Sequence, residues 1–113
     1  MTHPLQAWTA ECLEPIGEVT GRAMMGGVTL YCNGTVFAIV ADDDLWFKAD
    51  KVSDADWDAV EAARFTYAKG EGRTGTMNYR RAPGDAHDDP EEMRRWATLA
   101  LEAGLRGAAR KRR

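Results

Sequence analysis

Apolar and polar positions alternate with period two through the middle of the chain and recur at helical spacing toward both ends. From Met24 to Asp50 the alternation predicts three consecutive antiparallel strands. Asn33-Gly34 lies between two apolar runs, and an Asn-Gly pair favours a two-residue hairpin because both residues accept positive φ. Pairing outward from that turn sets Cys32 opposite Thr35, Leu30 opposite Phe37 and Val28 opposite Ile39. These residues then share one face, while Thr29, Tyr31, Val36 and Ala38 share the other. A second reversal is expected at Asp42-Asp43-Asp44, where consecutive carboxylates suit a turn tip. A three-residue loop there pairs Ala41 with Leu45 and Ile39 with Phe47, extending the apolar face; a two-residue loop would bring Lys48 opposite Phe37.

The flanking segments supply helices and a second hairpin. Leu5, Trp8, Cys12, Leu13 and Ile16 form a helical stripe, so a helix is expected from Pro4 to Leu13, stopped by Pro15 and Gly17. Gly21, Gly26 and Gly27 flank or interrupt the first strand, as at a bulge or a close backbone approach. Ser53 to Ala63 predicts a short helix with Ser53 as N-cap and Asp54 and Asp56 in the first turn, where the helix dipole favours negative charge. Arg64–Lys69 and Thr74–Arg80 predict strands with Phe65, Tyr67, Met77 and Tyr79 pointing inward. Asp89-Pro90-Glu91-Glu92 opens a last helix, with Asp89 as N-cap, Pro90 at the first position and Glu92 completing a capping box. Met93, Trp96, Ala97, Ala100 and Leu101 form its apolar stripe, and Gly104 either joins that stripe or caps the helix.

With 113 residues the chain makes one domain, large enough to bury about two thirds of its unfolded surface without disulfide or metal. No apolar run approaches the ~20 residues that span a bilayer, and the N-terminus lacks a signal-peptide pattern, so a cytoplasmic location is expected, without membrane contact. Cys12 and Cys32 are then reduced thiols acting as small hydrophobes. Charge is uneven: Arg106, Arg110, Lys111, Arg112 and Arg113 leave residues 1–105 with 10 positive and 18 negative groups, a net of −8. Residues 1–105 are expected to form the domain and 106–113 a disordered, solubilising tail.

Candidate chemistry is sparse. The aspartates of 42–44 lack the alternate ligand spacing, Gly and distal Glu of a Ca²⁺ loop. Asp85, His87, Asp88 and Asp89 sit where helix caps gather. Gly70-Glu71-Gly72-Arg73-Thr74-Gly75 matches G-x-G-x-x-G, but a strand follows instead of a helix, so the backbone donors for a pyrophosphate are missing. With two histidines, His3 and His87, and no nucleophile–base spacing, the chain is expected not to be an enzyme. No catalytic residue, metal ligand, cofactor or small-molecule substrate is assigned.

Arg22 to Asp50 resembles the TfoX N-terminal domain family, known from a regulator of bacterial competence for DNA uptake. Met24-Met25-Gly26-Gly27 is similar to its Met-Phe-Gly-Gly segment. Tyr31, Gly34, Phe37 and Asp42 match a Tyr-x-x-Gly-x-x-Phe-x-x-x-x-Asp run, and Leu45 to Asp50 looks like the family's Leu-aromatic-aliphatic-Lys-x-Asp, with Phe47 at the aliphatic position. Phe65-Thr66-Tyr67, Met77-Asn78-Tyr79 and Asp89-Pro90-Glu91 continue the likeness, which covers about residues 12–104. Met25 replaces the family's usual Phe, and Val28-Thr29 its Tyr-Gly. The resemblance implies a two-layer α+β fold, with a bent antiparallel sheet of about five strands, an N-terminal, a short middle and a C-terminal helix, similar in outline to secretion chaperones. It implies no catalytic residue and no cofactor.

The function expected is a regulatory, non-enzymatic protein-interaction module acting through an exposed sheet face or edge. Tyr31, Val36, Ala38, Val40 and Trp46 lie opposite the expected core face and form the candidate interaction surface, covered by a protein partner or, most simply, a second copy in a homodimer. The alternative is weak nucleic-acid binding through Arg73, Arg80, Arg81, Arg110, Lys111, Arg112 and Arg113. It is disfavoured because the domain is acidic and the aromatics of the second hairpin are expected inward.

Overall fold

The computed structural model describes residues 2–24 and 26–111. Its elements are α1 (Pro4–Leu13), β1 (Val19–Met24), β2 (Gly27–Cys32), β3 (Thr35–Ala41), β4 (Asp44–Lys48), α2 (Asp54–Ala59), β5 (Arg64–Gly70), β6 (Arg73–Arg81), a 3-10 turn at Gly84–His87 and α3 (Pro90–Lys111). The strands form one open sheet in the order β1-β2-β3-β4-β6-β5, antiparallel throughout. This is an α+β fold with six strands instead of about five. The extra strand is β1, which precedes the three strands expected from Met24 to Asp50 and reverses into β2 between Met24 and Gly27. Met25, the residue at the family's Phe position, lies outside the described residues.

The local signals at the element ends act as expected in most places. Asn33 and Gly34 have φ of 49° and 83°, and Cys32 pairs with Thr35 across them. Asp89 Oδ1 accepts the Glu91 N–H at 2.9 Å to cap α3. Glu92 does not close a capping box: its carboxylate accepts from Arg95, and the Asp89 N–H donates to the Asp85 carbonyl.

Two features of the meander differ from the expected register, and together they decide which residues face the helices. Past Tyr31–Val36 the pairing shifts, so that Leu30 meets Ala38 and Val28 meets Val40, with Phe37 the extra residue of a β-bulge. The next reversal has two loop residues, Asp42 and Asp43, at φ of 52° and 60°, so Ala41 pairs with Asp44, Val40 with Leu45 and Ile39 with Trp46. Aspartate tolerates this left-handed conformation, and two such residues make the hairpin turn whose twist matches the strands. As a result Ala38 and Val40 join Leu30, Phe37, Leu45 and Phe47 in the core, while Ile39 and Ala41 face the opposite way.

All three described helices lie on one face of the sheet. Their core is tied by a run of rings, Phe37–Phe47–Trp57–Trp96, with centroid separations of 6.4, 5.8 and 4.9 Å, which joins β3 and β4 to α2 and α3. The Trp8 Nε1–H of α1 donates to the Ala86 carbonyl at 3.0 Å, fixing the third helix to the turn before α3. The Cys12 and Cys32 thiols are buried in this core, and burial raises both pKa values above the usual range.

The last helix does not end at Gly104 but continues to Lys111, so residues 106–111 of the expected disordered tail are helical. Gly104 is neither cap nor passive stripe: a Cβ there would run into the Val36 carbonyl oxygen, and Thr35 Cγ2 lies 2.9 Å away. The missing side chain lets α3 cross the sheet at the bulge. At Gly107, by contrast, the nearest atom to an added Cβ is Lys48 Cε at 3.8 Å, an ordinary contact.

These two glycines predict substitutions of opposite sign. Gly104→Ala forces α3 off the bulge and is expected to cost about 1–3 kcal/mol despite alanine's better helix propensity. Gly107→Ala is expected to gain up to about 1 kcal/mol. Urea titrations of the two variants check this, and a neutral or stabilising Gly104→Ala would contradict the close crossing.

Candidate functional site

The face of the sheet without helices carries a second cluster. Alternation from the bulge onward brings Ile39 and Ala41 of β3, Trp46 of β4 and Tyr79 of β6 together there, with Phe65 of β5 packed against them. Trp46 and Phe65 meet edge to face at 5.1 Å, and Phe65 stacks on Tyr67 at 6.4 Å. Cationic side chains cover the inner rings: the Arg81 guanidinium lies 5.2 Å from the Trp46 centroid and Lys48 Nζ 5.3 Å from that of Tyr79. Trp46 and Tyr79 are therefore only 7% and 8% exposed although no helix shields them, whereas Tyr67 is 41% and Met77 40% exposed. The aromatic row thus emerges into solvent toward the β5–β6 hairpin.

On the opposite face the same strands carry polar groups locked to helices. Arg80 is almost fully buried, and its guanidinium donates to Asp58 Oδ1 at 2.8 Å, Asp54 Oδ1 at 3.2 Å and the Ala62 carbonyl at 3.2 Å. Asp54 and Asp58 are four apart on α2 and so share one side of it, which is how a short helix neutralises a buried charge. Ser53 does not cap α2 with its side chain. It exchanges bonds with Asp50, its Oγ accepting the Asp50 N–H and its own N–H reaching Asp50 Oδ1, each at 3.0 Å. The same carboxylate receives a fork from Arg106, Nη2 at 2.9 Å and Nε at 2.6 Å. Hydrogen bonding from Arg106, helped by Ser53, holds the Asp50 pKa down at about 2.

The residues expected to form one interaction surface are divided by this arrangement. Tyr31, Val36 and Trp46 lie on the helix-free face; Ala38 and Val40 are buried in the helix-side core. Among the expected nucleic-acid contacts, Arg80 is sequestered by α2, while Arg73, Arg81, Arg110 and Lys111 are exposed. Arg112 and Arg113 lie outside the described residues. Phe65, Tyr67, Met77 and Tyr79 point away from the helices, reversing the expected orientation of the second hairpin; its inward residues are Asn78 and Arg80, both bonded to Asp54. Gly75 was a legible signal for this, since a glycine opposite Tyr67 leaves room for that ring to lie across the strand.

Among the described residues no group of three or more His, Cys, Asp or Glu is placed to hold a metal ion, and no helix is long and apolar enough to cross a membrane. Gly70-Glu71-Gly72 forms the tip of the β5–β6 hairpin, with positive φ at all three residues.

The architecture is that of an α+β domain with an open six-stranded sheet, helices packed on one face and an aromatic, cation-covered cluster on the other. The chain belongs to the TfoX N-terminal domain family, whose model matches residues 11–104. Membership points to a regulatory domain of the competence-regulator type. A search of curated proteins finds no match.

The Asp50–Arg106 fork ties the end of β4 to the last turns of α3, and its pH dependence follows from the depressed pKa. A carboxyl held below its unfolded value stabilises the fold fully above about pH 4 and loses that contribution as pH falls toward 2. With allowance for the partly exposed arginine, Asp50→Asn is expected to cost about 1–2 kcal/mol at pH 7. The gap to the parent protein should close between pH 4 and 2 in denaturant titrations; a gap independent of pH would remove the fork as its cause.

Proposed function

We propose that this domain regulates by binding, without catalysis, and that its working surface is the helix-free face of the sheet. The observation that carries this reading is the aromatic row Trp46–Phe65–Tyr67, which begins under Arg81 and ends in solvent. Helix-side polar groups are consumed by structural bonds, whereas this face keeps cations and π surfaces available. A residue set for chemistry would call for a nucleophile and base, or an acid–base pair, converging in a pocket.

A homodimer through this face is the simplest protein occupant, but its charge opposes it. Apposing two copies about a two-fold axis would gather the Arg22, Lys48, Lys69 and Arg81 side chains of both, and like charges across an interface suppress association. The occupant of this face is a partner other than a second copy.

In the host cell, replacing the chromosomal gene by one encoding Tyr67→Glu with Lys69→Glu is expected to reproduce the transcript profile of the deletion strain. The charge reversal Asp56→Lys, on the exposed side of α2, should leave that profile at the parental level. Full regulation by the sheet-face variant, with its circular dichroism intact, would refute the assignment of this surface.

A further inference from the structure

We infer that the helix-free face is a platform for single-stranded nucleic acid, with bases stacked on its exposed aromatics and phosphates held by the cations around them. This rests on the binding surface assigned above and names its occupant. Charge segregation is the first support. The protein has a formal net charge of −3, yet the strand residues directed to this face include Arg22, Lys48, Lys69 and Arg81 against a single carboxylate, Asp44. Many of the acids that make the chain acidic are placed elsewhere: Asp54 and Asp58 hold Arg80, Asp50 holds Arg106, Asp85 lies in the 3-10 turn, and Asp89 and Glu91 belong to the cap and first turn of α3. Among the described residues, no carboxylate lies within salt-bridge distance of Arg22, Lys48 or Lys69, so three of these four cations are free to meet phosphates.

The second support is the geometry of the rings. Tyr67 lies across Gly75, its ring occupying the space a side chain there would fill, and Lys69 shares that space from the same strand. A ring that is 41% exposed, with a lysine beside it, offers aromatic surface to a base and an ammonium to the adjoining phosphate. At the other end the face runs into a cleft of about 230 Å³ between β3 and α3, lined by Tyr31, Val36, Lys48, Gly104, Gly107 and Lys111. Its charged lining residues are both lysines, so the cleft accepts an anion. The rings at one end and the cationic cleft at the other meet at Tyr79, whose ring is covered by Lys48 of the cleft. Duplex is a poorer fit, because its bases are not free to stack on side chains.

An acidic peptide would satisfy the cations but leaves the exposed aromatic surface unused, and the test separates the two. A fluorescein-labelled 15-nucleotide oligo-dT is titrated with the full chain at 50 mM salt and followed by anisotropy. Micromolar or tighter binding is expected, stronger than for a duplex of equal length, with affinity falling on added salt by about 0.7 log units per log unit for each phosphate neutralised. Tyr67→Ala should weaken binding about 5- to 150-fold with the salt slope unchanged, and Tyr67→Phe should restore it. Lys69→Gln should reduce the slope by about 0.7. Both positions are exposed, so loss of fold does not confuse the result. No binding at 50 mM salt, or binding that Tyr67→Ala leaves intact, would overturn the inference. So would capture of polyaspartate in place of oligo-dT, which would mark the face as a protein site. Failure in the titration together with loss of regulation by the sheet-face variant in cells would overturn the occupant and leave the surface standing.

Discussion

The register of β3 against β2 is the constraint from which the rest of the structure follows. Phe37 is the extra residue of a bulge, and both Phe37 and Ala38 are fully buried. Without it, strict alternation would carry Ile39 and Ala41 to the helices and Val40 away from them. With it, Leu30, Ala38 and Phe47 form one cross-strand row in the core, while Thr29, Ile39 and Trp46 form the next row on the opposite face. The bulge is also where α3 crosses: Gly104 lies against the Val36 carbonyl, at the point where β3 departs from regular pairing. A local irregularity thus sets the position of the longest helix and the composition of the second face at once.

Much of this was legible in the sequence, and the misses have physical causes. The bounds of α1, the Asn33-Gly34 turn, the Asp89-Pro90 helix start and the second hairpin follow from local chemistry, and local chemistry governs them in the fold. The bulge leaves no such signal, because Val36-Phe37-Ala38-Ile39-Val40 is apolar at every position and fits either register. The two-residue turn at Asp42-Asp43 differs from the expected three-residue loop because only the longer loop keeps the apolar set in phase under the unbulged register. Each error supported the other. The residues carrying the family likeness occupy these same points: Gly34 and Asp42 hold positive φ, Phe37 is the bulge and Asp50 is the acceptor of the Arg106 fork.

Buried electrostatics explain why the second hairpin faces opposite to the orientation its sequence suggests. Aromatic residues alternating with arginine suggest rings inward and charge outward, since burying a guanidinium costs several kcal/mol unless it is fully paired. Here it is paired. Arg80 finds two carboxylates and a carbonyl from the region of α2, and Asn78 bonds the same Asp54, so the polar side of the hairpin becomes the inner one. That exchange leaves Phe65, Tyr67, Met77 and Tyr79 on the outside. A sequence scan sees Asp54 and Asp56 as dipole partners at a helix start and has no means of knowing that a distant arginine will claim Asp54 and Asp58.

The same exchange shapes the surface available for recognition. A cation buried against α2 consumes acidic groups that would otherwise balance the exterior, and Asp50 is spent in the same way on Arg106. Net charge therefore misleads as a guide to local potential: an acidic chain can present a basic face when its carboxylates are committed to the other side of the sheet. On that face Arg81 and Lys48 both lie over rings; Arg81 also bridges Asp44 at 3.1 Å, whereas Lys48 is held beside the Tyr79 ring with, among the described residues, no carboxylate at bridging distance. Aromatic area and unneutralised charge on one surface follow from the way the inner surface was satisfied, which is why the helix-side bonds and the recognition face have to be understood together.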